Sequence, residues 1–180
     1  MATARSKRKS IYVVALTQPV GLRKVLLMMS DLFTIRIAEL PADWPYIQAI
    51  RRQVFHEEQG IDLRLDFDGK DEVAQHWLVW CRGAAIGTTR VRCLDSATAK
   101  LERLAVLPEF RGRGLGQQLI QQALTALQFQ GIARVTLHAQ TPLQHFYERL
   151  GFEAEGDRFE EAGKSHVKMR KHLRSHPKNP

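Results

Sequence analysis

The apolar residues change their spacing repeatedly along this chain, and each change marks an element. Thr34-Ile35-Arg36-Ile37-Ala38 alternates with a period of two, the pattern of a half-buried strand. Ile47, Ile50, Val54 and Phe55 then recur at helical spacing, with Asp43 placed to cap that helix and Gly60 to end it. From Asp62 to Glu72 the run DLRLDFDGKDE has no period and reads as an acidic loop. No register through it sets alternating ligands, a glycine and a closing glutamate where an EF-hand needs them. His76 to Cys81 and Ala85 to Cys93 flank Arg82-Gly83-Ala84 and predict a β-hairpin.

The stretch Lys100 to Gly116, KLERLAVLPEFRGRGLG, changes character twice. Leu101, Leu104, Val106 and Leu107 make a short strand that Pro108 stops. A period of two puts Glu102, Leu104 and Val106 on one face. After the bend, Leu115, Leu119, Ile120, Ala123, Leu124 and Leu127 form the apolar stripe of a helix. Strand, bend and helix in that order aim backbone N–H groups and the positive end of a helix dipole at one spot. Gly112, Gly114 and Gly116 let an anion approach the backbone, and Arg111 and Arg113 add charge. The bend therefore predicts a phosphate cradle. A dinucleotide fingerprint would need glycine where Gln117 stands, and a P-loop would need Gly-Lys-Ser/Thr. Further on, Val135 to His138 predicts a strand, Pro142 to Leu150 a short helix left at Gly151-Phe152, and His166 to Met169 a closing strand. The order β-α-β-β-β-α-β-α-β predicts an α+β or mixed α/β domain.

With 180 residues and 44% hydrophobic content the chain can bury one core, assigned to residues 33–174. The net charge of +8 suggests nucleic acid until it is located. Residues 1–30 hold six Lys/Arg and no Asp/Glu, and residues 164–180 hold another six, again with none. Residues 31–163 carry 15 basic against 19 acidic side chains, a net of −4. Basic ends on an acidic body do not make the charged face of a nucleic-acid reader. The leader, residues 1–32 beginning MATARSKRKS, has the Arg/Lys/Ser content of a transit peptide. It reads as a disordered extension, or as residues upstream of a start near Met28 or Met29, with Ile11 to Leu16 a stray strand. Residues 175–180 read as a tail. Cys81 and Cys93 have neither zinc-site spacing nor the numbers of a disulfide framework, which predicts a reduced, cytoplasmic protein without a metal. No apolar run approaches the roughly 20 residues of a membrane helix.

Arg111 to Gly116 spells Arg-x-x-Gly-x-Gly, and this resembles the pyrophosphate loop of the GNAT superfamily of acetyl-CoA-dependent N-acyltransferases. The wider run Leu104 to Gly116 and the segment FYERLGF, Phe146 to Phe152, are similar to superfamily signatures. RRQVFHEEQGI…DFDGKDEVAQHW and EEAGKSHVKM resemble the ElaA-like branch in particular. The four segments cover nearly all of residues 33–174. The resemblance implies a mostly antiparallel twisted sheet flanked by helices, with Leu101–Val106 and Val135–His138 as a splayed parallel pair. The pantetheine arm would lie in that gap against the backbone of Leu104 and Val106. The diphosphate would sit on the amides of Arg111, Gly112, Arg113, Gly114, Leu115 and Gly116. Gln140 stands seven residues before Tyr147, where many members have Asn, and reaches one methylene further.

Acetyl transfer to an amine poses two proton problems. An alkylamine of pKa near 10.4 arrives protonated, and a departing thiolate of pKa about 8.5 benefits from an acid. The resemblance assigns the acid to Tyr147, whose bland alternative is an aromatic core pair with Phe146. Glu102 is the first choice of base, against a solvent-facing strand glutamate. His76, His138 and His166, each at a strand end, are candidates for substrate binding or proton shuttling. Glu57, Glu58, Asp66, Asp68 and Asp71 would form an acidic rim favouring a cationic acceptor (a polyamine, amino sugar or lysine-like amine), or else are solvated charges. The predicted function is transfer of acetyl from acetyl-CoA to a small-molecule or peptidyl primary amine. Transfer is direct, in a ternary complex, by a monomer or homodimer, with no acyl-enzyme at Cys81 or Cys93. The alternatives are a non-catalytic acyl-CoA-binding or sensing module, a nucleic-acid binder using the basic ends, and a mononucleotide binder.

Overall fold

Strand β1 (Phe33–Ile37) leads into helix α1 (Trp44–Arg51), which continues directly as a π-helix, Arg52–Glu58. The computed structural model describes residues 33–174, so the leader with Ile11 to Leu16 and the tail lie outside the described residues. The predicted stripe Ile47, Ile50, Val54 and Phe55 is buried. Asp43 stands at the N-cap position, but its carboxylate caps no helix amide. It accepts from the Glu39 N–H at 2.7 Å and from Arg36 at 2.5 and 2.9 Å. The acidic loop contains a one-turn helix, α2 (Leu63–Asp66), whose start is capped by Asp62 accepting from the Arg64 N–H at 2.7 Å.

Strands β2 (Gln75–Cys81) and β3 (Ala84–Cys93) form the predicted hairpin, with Arg82 and Gly83 at φ 47° and 83° in its turn. Strand β4 (Thr98–Val106), helix α3 (Leu115–Phe129), strand β5 (Arg134–Gln140) and helix α4 (Gln144–Glu148) follow in the predicted order. Then come β6 (Glu153–Glu161) and β7 (Lys164–His172). The described residues form a seven-stranded sheet in the order β1-β2-β3-β4-β5-β7-β6. The β4–β5 pair is parallel and the other neighbours are antiparallel. This is the expected α+β architecture with one strand more than the pattern shows.

Helix α1 and the π-helix cover one face of the sheet, where Ile47, Ile50, Val54, Phe55, Leu78 and Ala105 cluster. Helix α3 covers the other. Its stripe Leu115, Leu119, Ile120, Ala123, Leu124 and Leu127 is buried, each large aliphatic contributing about 1.5–3 kcal/mol by leaving water. Gly87 of β3 admits that packing, since a Cβ there would stand 3.5 Å from Leu119 and 3.2 Å from the Ala105 carbonyl.

Two features of β4 make the site. Its pairing with β5 runs Thr98↔Arg134, Ala99↔Val135 and Lys100↔Thr136, and ends there. Its pairing with β3 carries a bulge: Thr88 faces Ala105 and Arg90 faces Glu102, so two steps on β3 match three on β4. Arg103, at φ 55°, is the extra residue. The bulge corrects the even alternation expected for this strand. Ala105 and Glu102 face α1, whereas Leu104 and Val106 reach within 3.8 and 4.0 Å of where a Cβ on Gly116 of α3 would stand.

Candidate active site

Where β4 and β5 part, a cleft of about 230 Å³ opens. Leu101, Glu102, Arg103 and Leu104 line it from β4, His138 and Gln140 from β5, and Tyr147 from α4. Lys164 and His166 of β7 and Glu161 of β6 close the far side. Phe55 of the π-helix, Gln59 just after it and Leu65 of α2 also line the cleft.

The glycine bend lies beside it. Gly112 and Gly114 have φ of 75° and 74°, a conformation that favours glycine, and the whole turn from Arg111 to Gly114 is exposed. Gly114 is the N-cap of α3 and offers no side-chain cap, and the first intrahelical bond is Gln118 N–H to Gly114 O at 3.0 Å. Among the described residues, none of the six backbone N–H groups from Gly112 to Gln117 donates a hydrogen bond. The Arg111 N–H does, to Pro108 O at 3.2 Å, so the open row begins one residue later than the sequence suggests. The Arg111 side chain is engaged as well. Its Nε donates to Val106 O at 2.9 Å, and its two terminal nitrogens meet Glu58 at 2.8 and 2.5 Å. The Val106 carbonyl thus already holds a partner. Gly116 has another duty: its Cα side packs on Leu104 and on Phe146, next to Tyr147.

Tyr147 is buried to 6% exposure and packs edge-on against Phe146 and Phe152. Its hydroxyl has no hydrogen-bond partner among the described residues. Burial pushes the phenol well above its ordinary pKa, so it keeps its proton. Gln140 donates to Gln59 Oε1 at 3.0 Å across the cleft.

Of the expected acidic rim, Glu57 is exposed and has no partner among the described residues, whereas Glu58, Asp66, Asp68 and Asp71 are all paired. Arg51 and Arg90, both wholly buried, gather the three aspartates. Arg51 pairs with Asp66 at 2.8 Å and Asp71 at 2.6 Å, and Arg90 with Asp68 at 2.7 Å and Asp71 at 2.9 Å. Arg103 adds Asp66 at 2.8 Å, and Glu58 is taken by Arg111. Glu102 is held by three cations: Arg92 at 2.6 Å, Arg90 at 3.1 Å and Lys100 at 3.2 Å. Burial raises its pKa, but the Arg92 hydrogen bonds and the charges of Arg90 and Lys100 outweigh that and bring it down to about 2.

The three histidines separate. His76 is not at the cleft. It is buried under α1, edge-on to Trp44, with Nε2 donating to Asp71 O at 3.1 Å, and burial depresses its pKa. His138 and His166 do line the cleft, and both pack on the Phe159 ring, His138 edge-on and His166 stacked. His138 Nδ1 meets Glu161 Oε2 at 2.7 Å, and His166 Nδ1 donates to the Lys164 carbonyl at 2.9 Å. Each pairing leaves Nε2 as the free nitrogen.

Residues 49–173 match the model of the acetyltransferase (GNAT) domain. The chain belongs to the GNAT acetyltransferase family. This GNAT protein is 38% identical over 125 residues to a Bacillus subtilis (strain 168) protein named as an acetyltransferase, covering 68% of this chain and 84% of that one. A crystal structure of a Lactobacillus plantarum protein named as an N-acetyltransferase superposes with a TM-score of 0.74 at 27% identity, covering 79% of this chain and 99% of that one. Escherichia coli ElaA superposes at 0.69 with 26% identity, covering 77% and 99%. The chain is an acyltransferase. Among its described residues no helix is long and apolar enough to cross a membrane.

Sequence reasoning finds the bend, Tyr147, Gln140, His138 and His166, but not Arg51, Arg90 or Arg103 as the groups that consume the loop's carboxylates. Three acids within six residues, Asp66, Asp68 and Asp71, next to a strand were the available sign, because buried charges must be paired.

Proposed function

We propose that this chain transfers an acetyl group from acetyl-CoA to a primary amine by direct attack in a ternary complex, residues 33–174 being the catalytic domain. The observation that carries the reading is the row of open N–H groups from Gly112 to Gln117, backed by Leu104 of the cleft. Such a row at a helix N-terminus suits a diphosphate. Beyond Lys100 the β4 backbone has no β5 partner, and an extended amide chain such as pantetheine can pair with it.

In the reaction the neutral amine attacks the thioester carbonyl carbon, the new C–N bond forms, and the C–S bond breaks. Tyr147 gives its phenolic proton to the leaving sulfur. His138, oriented by Glu161, takes the proton from nitrogen at Nε2, and solvent returns it to the phenolate. An amine arriving as ammonium releases one further proton to water. Glu102, surrounded by Arg90, Arg92 and Lys100, anchors charge and is a poor base.

The test is thiol release from acetyl-CoA across a panel of primary amines, with calorimetric binding of coenzyme A and of pantetheine alongside. Amine-dependent release is expected, with coenzyme A bound at least about 100-fold more tightly than pantetheine, as several charge-assisted hydrogen bonds imply. Tight coenzyme A binding without any amine-dependent turnover would favour an acyl-CoA-binding module instead.

A further inference from the structure

We propose that the acceptor amine carries a second, anionic group, a carboxylate or a phosphate, held in the cleft by Lys164 and Arg103. The inference rests on reading the cleft as the acceptor's site, and it reverses the cationic acceptor that the acidic loop suggests. The cleft holds three carboxylates, and each is engaged: Asp66 by Arg51 and Arg103, Glu102 by its three cations, and Glu161 by His138. What the cleft offers beyond these pairs is positive.

Lys164 lines the cleft, and its ammonium has neither a hydrogen bond nor an ion pair among the described residues. Glu58 feels its charge, but that carboxylate is already bound at two points by Arg111. The backbone beneath Lys164 is fixed. It follows the tight turn at Ala162 and Gly163, and His166 Nδ1 holds its carbonyl at 2.9 Å. Thr141 Oγ1 secures the next carbonyl, that of Ser165, at 3.0 Å. A lysine on a pinned hairpin, lining a cleft and making no ion pair among the described residues, is suited to an anion.

Arg103 lines the same cleft from β4. The residue is the bulge, in a left-handed conformation that a non-glycine residue adopts at a cost and that recurs at ligand sites. Its Nε and one terminal nitrogen are used on Asp66, Asp68 and the Leu65 carbonyl, while Nη1 makes no hydrogen bond among the described residues. The charges of the wholly buried Arg51 and Arg90 act on it. Arg103 already pairs with Asp66 and Asp68 through Nε and Nη2, which leaves Nη1 as the donor that an anion on the acceptor can take.

The experiment compares β-alanine and 2-aminoethyl phosphate with propylamine and ethanolamine, which lack the anion, and with spermidine, which carries extra positive charge instead. In the wild type the anionic members are expected to show kcat/KM at least about tenfold higher, the effect of one charge-assisted hydrogen bond. Preference for β-alanine alone identifies a carboxylate, and for 2-aminoethyl phosphate alone a phosphate. Lys164→Met is expected to bring the anionic-to-neutral ratio towards one and Lys164→Arg to keep it, a ratio that general loss of activity does not move. A second readout needs no turnover. With saturating coenzyme A, N-acetyl-β-alanine or N-acetyl-2-aminoethyl phosphate should raise the melting temperature, N-propylacetamide should not, and Lys164→Met should abolish the rise. Equal or better turnover of propylamine or spermidine, or no rise with either anionic product, overturns the inference and leaves the acetyltransferase reading standing. Failure to bind coenzyme A would instead sink that reading.

Discussion

Tyr147 and Glu102 are the two side chains that the motifs nominate for the chemistry, and their surroundings set them apart. Both are legible as candidates because they flank the motifs, and both do line the cleft. Only the fold shows what surrounds them. Tyr147 sits among rings with a free hydroxyl and a raised pKa, which suits an acid for a departing thiolate. Tyr147→Phe is therefore expected to lower kcat by about 10²- to 10³-fold, the usual share of one proton donor, while the coenzyme A dissociation constant changes little. Stopped-time thiol assays with calorimetry separate the two quantities, and an unchanged kcat would remove Tyr147 from the chemistry. Glu102 should behave in the opposite way. Removing its charge leaves Arg90 buried with Asp68 and Asp71 but one partner fewer, so Glu102→Gln should cost about 1.5–3 kcal/mol of folding stability. Urea unfolding measures that loss. A variant of wild-type stability with kcat reduced a hundredfold would restore Glu102 as the base.

At the scale of elements, most of the fold can be read from periodicity, and the exceptions have physical causes. β6 escapes because EAEGDRFEE lies at the sheet edge, mostly exposed, and an edge strand needs no apolar alternation. The bulge at Arg103 escapes because its φ is positive without a glycine to announce it, and missing it sends Glu102 to the wrong face. The π-helix Arg52–Glu58 keeps its buried Val54 and Phe55 close enough to helical spacing to pass as one continuous helix. The cradle is legible, but its three glycines have different jobs. Gly112 and Gly114 are needed for their positive φ, and alanine at either costs about 1–2 kcal/mol and disturbs the N–H row. Gly116 is helical, and a Cβ there meets Leu104 and Phe146 at 3.8 Å, an ordinary contact. Gly114→Ala is thus expected to weaken coenzyme A binding by more than about tenfold, whereas Gly116→Ala should leave it within about threefold, given the roughly 1.4 kcal/mol that a tenfold change represents. Calorimetric titration of the two variants decides, and equal losses would mean that all three glycines touch the ligand.

For the whole molecule, the buried charges set the response to acid. Arg51, Arg90 and Arg103 tie together α1, α2, the loop after it, β3 and β4 through Asp66, Asp68, Asp71 and Glu102. Burial raises the pKa of Asp68 and Asp71, but hydrogen bonds and charge from Arg90 and Arg51 outweigh it, and both end below their ordinary values, as Glu102 does at about 2. The folded state therefore binds fewer protons than the unfolded chain over the carboxylate range, and stability rises with pH there. The contribution is complete above the unfolded carboxylate values and is lost as pH falls through the depressed ones. The carboxylate part of the urea midpoint should accordingly hold from neutrality to about pH 5 and then drop steeply towards about pH 2. His76, kept neutral by burial, adds to the loss, because it charges more readily once unfolded; that part falls away as pH drops through the ordinary histidine range. Asp71→Asn removes the one carboxylate shared by Arg51 and Arg90, so it should lower the midpoint at neutral pH and flatten its fall in acid. A variant that keeps the full acid slope would show that Asp71 ionises no more easily in the fold than in the open chain, and that the arginines are balanced by other groups.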